Sequence, residues 1–334
     1  VICALVLAGW LPASAQETAP AAAAPNSFFE RGPVKEYVLK SVFVGGEVEN
    51  PGPVELAKLP VREVAVKELA FEDGKPAFRG AYFFSGYALY DILKAKPVKK
   101  TNADFSPETD LYVVVENEKG DKAVFSWGEI YYARDNFKAL IYRSARSVTA
   151  PKKGKDWPLP AEPRLVCASD MYNARFITEP SKITVKSAAG AFPGKKHAET
   201  FTPEFKVVYG GNSTTVADGS FFGMKRKYLD TGYGHGTGFK GVKDTEGYLL
   251  KDVLLKAGAK PQESGASLVV VSAKDAYRAS FSLAEIINRN DNADALVVDK
   301  GPDDEDGRFA LFSPADFFVD RNVRSVDRIE VLKL

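Results

Sequence analysis

The residues best spaced for chemistry in this 334-residue chain lie in TGYGHGTGFKG, residues 231–241. Gly232, Gly234, Gly236, Gly238 and Gly241 surround His235, and Lys240 follows closely. A loop of this kind can turn several backbone amides toward one anion, to which His235 and Lys240 would add charge. The ligand-binding candidates are therefore Gly232, Gly234, His235, Gly236, Gly238 and Lys240, with a flexible loop that binds nothing as the plainer alternative. The formal GxGxxG from Gly236 to Gly241 does not make a dinucleotide site, because KRKYLDTGYGH before it is not an apolar strand and no βαβ unit follows.

Other reactive residue types are sparse. No Ser/His/Asp arrangement or carboxylate pair stands at a spacing that nominates it as catalytic, so no catalytic residue is assigned. The two histidines, His197 and His235, lie outside any zinc or c-type haem spacing, and no metal is expected. Asp304, Asp306 and Gly307 make only a fragment of a calcium loop, without the later Glu. Cys167 sits in the apolar run LVCA and reads as a small core hydrophobe. Asp170 with Arg175, and Asp316 with Arg321, share a spacing of five and read as a salt-bridged turn that anchors the last strand. The aromatic clusters at 82–84, 131–132 and 317–318 read as core material before they read as a stacking platform.

These residues must be positioned by elements that occur twice. FSWGEI at 125–130 returns as FSLAEI at 281–286, 156 positions on (281 minus 125). LYVVV at 111–115 returns as LVVVS at 268–272, and FRGAYFFSGYALYDIL at 78–93 as FKGVKDTEGYLLKDVL at 239–254. A period of about 160 residues is too long for a solenoid and suits two whole domains. The expected organisation is a signal peptide over 1–15, a flexible Ala/Pro-rich tether over 16–34, a first unit over 35–187, a linker over 188–204 and a second unit over 205–334. Strands are expected at 37–48 and on both sides of the Gly-containing turn in 110–127, and helices near 86–96 and 247–260. Ser126 with Glu129, and Ser282 with Glu285, have the spacing of a capping box at the start of a short helix. Strands followed by short helices without regular βαβ alternation point to an α+β class.

Composition bounds the partners. The chain is 45% hydrophobic, enough for two cores, and its 45 basic and 44 acidic residues leave a net charge of +1, which gives no nucleic-acid footprint. The uncharged opening ending in Ala13-Ser14-Ala15 resembles a signal peptide whose basic start lies before Val1, with cleavage after Ala15 and a periplasmic or otherwise exported product. No later stretch is apolar enough to span a bilayer, so the mature chain is expected to have no membrane span.

The order VGGEVENPG (44–52), a helix with Gly-x-x-Leu-x-Asp-aliphatic-Leu, VVV through YRASFSLAE (269–285) and a final RIEV (328–331) resembles the sulfite-oxidase-type molybdopterin-binding domain family, in particular its small exported oxidoreductase-like members. The resemblance implies two tandem mixed α/β sulfite-oxidase-type pterin-domain-like folds, and places the 231–241 loop on the cofactor side. It also implies a molybdenum-ligating cysteine in the first half of each domain. Neither 64–80 nor 225–241 has one, so the fold is implied without the metal thiolate. Three readings follow. The leading one is an exported binding or partner module without a molybdenum centre or other cofactor, its partner a small anionic ligand or an envelope protein. The others are an oxidoreductase or subunit holding molybdopterin noncovalently, and a structural cell-envelope protein.

Overall fold

The computed structural model describes residues 32–102, 104–148, 157–190, 192 and 201–334. The expected signal peptide, His197, most of the tether and parts of the linker and of the 150–163 loop lie outside the described residues. The strands of the first half are β1 (Val34–Glu36), β2 (Val42–Gly46), β3 (Gly52–Val54), β4 (Arg62–Glu72), β5 (Lys75–Ala88), β6 (Leu111–Asn117), β7 (Lys122–Ser126), β8 (Ala139–Ser147), β9 (Arg164–Cys167), β10 (Ile177–Thr178) and β11 (Pro180–Ser187). Those of the second are β12 (Phe205–Tyr209), β13 (Asn212–Val216), β14 (Lys225–Gly234), β15 (Gly238–Leu249), β16 (Ser267–Ala273), β17 (Arg278–Ser282), β18 (Leu296–Asp299), β19 (Phe309–Phe312) and β20 (Val326–Lys333). Four short α-helices, α1 (Leu89–Lys94), α2 (Trp127–Tyr131), α3 (Leu250–Lys256) and α4 (Leu283–Ile287), join them.

The α+β expectation, and with it the pair of mixed α/β pterin-domain-like folds, is corrected here. Of the described residues 48% are in strands and 14% in helices, and the strands form four sheets set like four propeller blades. The physical reason lies in 62–88 and 225–249. Stretches that do not look uniformly apolar pair as long antiparallel hairpins, β4–β5 and β14–β15, and the helical spacing that follows each is spent within two turns.

Each half contributes an inner and an outer sheet with matching strand order. The inner sheets run β3-β2-β11-β6-β7 and β13-β12-β20-β16-β17; the outer sheets run β10-β9-β8-β5-β4 and β14-β15-β18-β19. Within each half a core fills the space between its sheets, built on Val44, Ile92, Phe125 and Ile183 in the first and Val207, Leu254, Phe281 and Ile329 in the second. The inner sheets then pack on each other through Tyr112, Val114, Val124, Leu268 and Val270. That second contact explains why LYVVV and LVVVS do not alternate, since β6 and β16 are buried on both faces.

Both expected capping boxes form. Ser126 and Ser282 each accept the amide of the third helical residue, Glu129 or Glu285, whose carboxylate accepts the serine amide in return. Among the described residues no helix is long and apolar enough to cross a membrane.

Candidate functional site

The Asp/Arg pairs do form, but they do far more than anchor a turn. Arg175 is fully buried and grips Asp170 through Nε (2.9 Å) and Nη2 (2.5 Å), while its Nη1 donates to both oxygens of Glu129 at 2.9 Å. Arg321 repeats this with Asp316 at 2.8 and 2.6 Å and with Glu285 at 3.0 Å. Each arginine then crosses to the other half. Arg175 donates to Ser282 Oγ at 3.1 Å and Arg321 to Ser126 Oγ at 2.8 Å, so the helix-capping serine of one unit accepts from the guanidinium of the other. Phe125 and Phe281 lie 4.2 Å beneath the two guanidinium groups.

Backbone contacts across the joint show the same two-fold pattern. Arg134 donates to Ala315 O and Asn290 to Ser169 O; Phe317 donates to Tyr132 O and Met171 to Asn288 O. Above this network lies a cleft of about 240 Å³ lined by Glu129, Lys138, Ser169, Arg289 and Asp291 among others. Burial, opposed by the Arg175 charge and reinforced by Glu285, pushes the Glu129 carboxyl up to about 7. Burial also pushes the Cys167 thiol up to about 12, with the Asp170 charge adding to the effect. Its Sγ is 3.2 Å from Ser169 Oγ and 3.3 Å from Arg175 Nη2. A thiol held protonated in this way does not suit a metal that needs a thiolate.

The glycine-rich candidates occupy one hairpin tip. Gly232 and Gly234 end β14, His235 and Gly236 make the turn, and Gly238 and Lys240 begin β15. Gly236 (φ +80°) and Gly238 (φ +77°) adopt the left-handed backbone that this turn requires, which accounts for two of the glycines without a ligand. Two of the turn's amides are also already engaged. His235 N–H donates to Asp320 Oδ2 at 2.9 Å and Thr237 N–H to Gly234 O at 3.1 Å. The His235 ring lies 5.2 Å from Phe318, and 6.4 Å from Tyr132 of the first unit. A carboxylate, that of Asp320, already accepts the His235 amide, and the buried Cys167 thiol is not a free thiolate for the metal of a molybdopterin. Among the described residues no group of three or more His, Cys, Asp or Glu side chains converges as a metal site.

Gly232 and Lys240 do line a larger feature, a groove of about 750 Å³ on the outer sheet of the second unit, together with Asp230, Lys243, Thr245 and Phe312 among others. The corresponding surface of the first unit is covered. There β8 is nine residues long and pairs with β5 from Tyr82–Ser147 to Ala88–Leu140. A Pro-rich strap at 157–163 lies over the same sheet and accepts hydrogen bonds from three tyrosines: Tyr82 to Pro158 O (3.0 Å), Tyr37 to Pro160 O (2.7 Å) and Tyr142 to Glu162 O (2.9 Å). The strap leaves a hollow of about 490 Å³ in which Glu68 and Arg164 are paired with each other at 2.9 and 3.0 Å.

In the second unit the strand equivalent to β8 is β18, only four residues long, which pairs with β15 at Tyr248 and Leu249 alone. By register, Lys243, Thr245 and Val298 stand where the first unit has Tyr82, Phe84 and Tyr142. Asp230 stands where the first unit has Val66, and it is 8% exposed with no hydrogen-bond or ion partner among the described residues. Leu229, Phe239 and Val242, on the same hairpin, are each more than half exposed. Sequence reading missed this groove, although the replacement of the alternating ALIYRSARSV by ALVVDKGPDD marks where the closing strand is lost. No family profile matches the chain, and no curated protein matches its sequence.

Proposed function

We propose that this chain is a binding module for a protein partner, working after export, in which the first unit and the joint are scaffold and the outer sheet of the second unit is the binding surface. The observation that carries this reading is the contrast between two equivalent faces: one covered by its own chain, the other open, flanked by exposed Phe239 and Val242 and floored by the unpaired Asp230. The paired arginine networks support a scaffold role, since every guanidinium and carboxylate in them is engaged within the protein.

A photoreactive phenylalanine at position 239 in the protein's own cell envelope, compared with one at the equivalent position 78, tests this. A discrete protein adduct from 239 and none from 78 is the expected result. Equal labelling from both positions, or none from either, removes the reading. One equivalent of molybdenum with extractable pterin in the purified protein would replace it with the oxidoreductase alternative.

A further inference from the structure

We propose that the partner segment binds by strand addition: residues 243–246 of β15 accept an extended chain as an antiparallel strand, and that chain carries a Lys or Arg whose head meets Asp230. The inference rests on the partner-binding reading and names the chemistry of the same groove.

The first unit shows the filled arrangement. Tyr82, Phe83, Phe84 and Ser85 of β5 pair with Ser147, Arg146, Ala145 and Ser144 of β8. By register from Tyr87 and Tyr248, the equivalents of those four β5 residues are 243–246. In the second unit the chain leaves the sheet after Asp299, and no backbone group of 243–246 bonds to anything except β14 among the described residues. A run of unpaired amides and carbonyls beside a groove is a template for one more strand. Lys225–Glu246 (3.3 Å) and Lys227–Asp244 (2.6 Å) pair on the outer face of the hairpin, where such charges oppose indiscriminate pairing.

The charge of the occupant follows from Asp230. Asp230 lines the groove itself and has no hydrogen-bond or ion partner among the described residues, so a cation entering the groove meets a carboxylate acceptor that nothing else engages. Asp230 lies directly opposite Lys243 on the neighbouring strand, yet no ion pair joins the two among the described residues. A strand added beyond Lys243 runs two strand spacings, roughly 10 Å, from Asp230. A long basic side chain and the carboxylate together bridge that span, and the pair would be shielded from water by the added strand. A Gln or Glu at the same place leaves Asp230 unpaired or repelled.

Capped heptapeptides of alternating Thr and Val, with Arg, Gln or Glu at the centre, test both parts. The Arg peptide should bind the full chain at least tenfold more tightly than the Gln peptide, D230N should erase that difference, and binding should slow hydrogen exchange at 243–246. Equal affinity of Arg and Gln peptides, an Arg preference that survives in D230N, or protection that appears elsewhere overturns the proposal. A melting curve for D230N that matches wild type separates loss of the charge from loss of the fold. The adduct from position 239 separates the two levels. If it persists in D230N while the Arg preference is absent, strand addition by a basic segment is wrong and the partner reading stands; if it is absent in the wild type, the partner reading fails first.

Discussion

The two outer sheets share a strand order and differ in closure. In the first unit β5 is paired on both edges and roofed by a strap held by three tyrosine hydroxyls. In the second, β15 loses its outer partner beyond Tyr248, the tyrosines give way to Lys243 and Val298, and a groove of about 750 Å³ remains. The inner sheets and the joint, by contrast, are nearly the same twice over. The larger divergence lies on one outer face, over a joint whose arginine pairs are kept in both units, and it separates the surface that binds from the framework that holds it.

The largest losses are expected at the joint. Arg321→Met strands Asp316 and Glu285, and Arg175→Met strands Asp170 and Glu129; each should cost about 3–5 kcal/mol in urea unfolding. Near-equal losses are expected, and tolerance of either one would contradict the symmetric joint. Next in size is a pH effect. The native state keeps the Glu129 proton up to about 7, whereas an unfolded Glu loses it near the ordinary 4.5. The native state therefore binds more protons over that window, so stability should fall as pH rises from about 4.5 to about 7 and level off above it. Glu129→Gln should flatten this slope in unfolding measured across the same range.

Ser126→Ala and Ser282→Ala should each cost about 1–2 kcal/mol, since each removes a cap and also an acceptor for the other unit's arginine. The outer sheets should respond oppositely. Tyr82→Phe, which releases the strap carbonyl of Pro158, should cost about 1 kcal/mol, and Asp230→Asn should leave the melting temperature unchanged or raise it.

Much of the framework was legible in the sequence. The FSWGEI and FSLAEI repeats located both capping boxes, the Asp/Arg spacing located both ion pairs, and the Gly-containing turn between β6 and β7 appears where Asn117 Oδ1 accepts from Lys119 and Asp121. All of these are local, set by residues within a few positions of one another. The crossing contacts were not legible, because Arg175 to Ser282 spans 107 residues and Arg321 to Ser126 spans 195, and spacing carries no information at that range. The fold class was misread for a related reason. Leu89–Lys94 and Leu250–Lys256 have a helical pattern, but the long hairpins before them carry most of the residues and take their sheet partners from distant chain. The glycine loop stood as a ligand candidate beside the plainer reading of a loop that binds nothing; Gly236 and Gly238 serve the hairpin turn, and of the candidate set Gly232 and Lys240 line the groove.

One unit has an open edge where the other has a closed one, and hydrogen exchange of the native chain measures that difference directly. The amides of 82–85 that face β8 should be protected to near the global limit, and those of 243–246 that face the groove should exchange many times faster. Comparable protection at the two places would mean that the second edge is already covered in the protein itself, and would contradict the account.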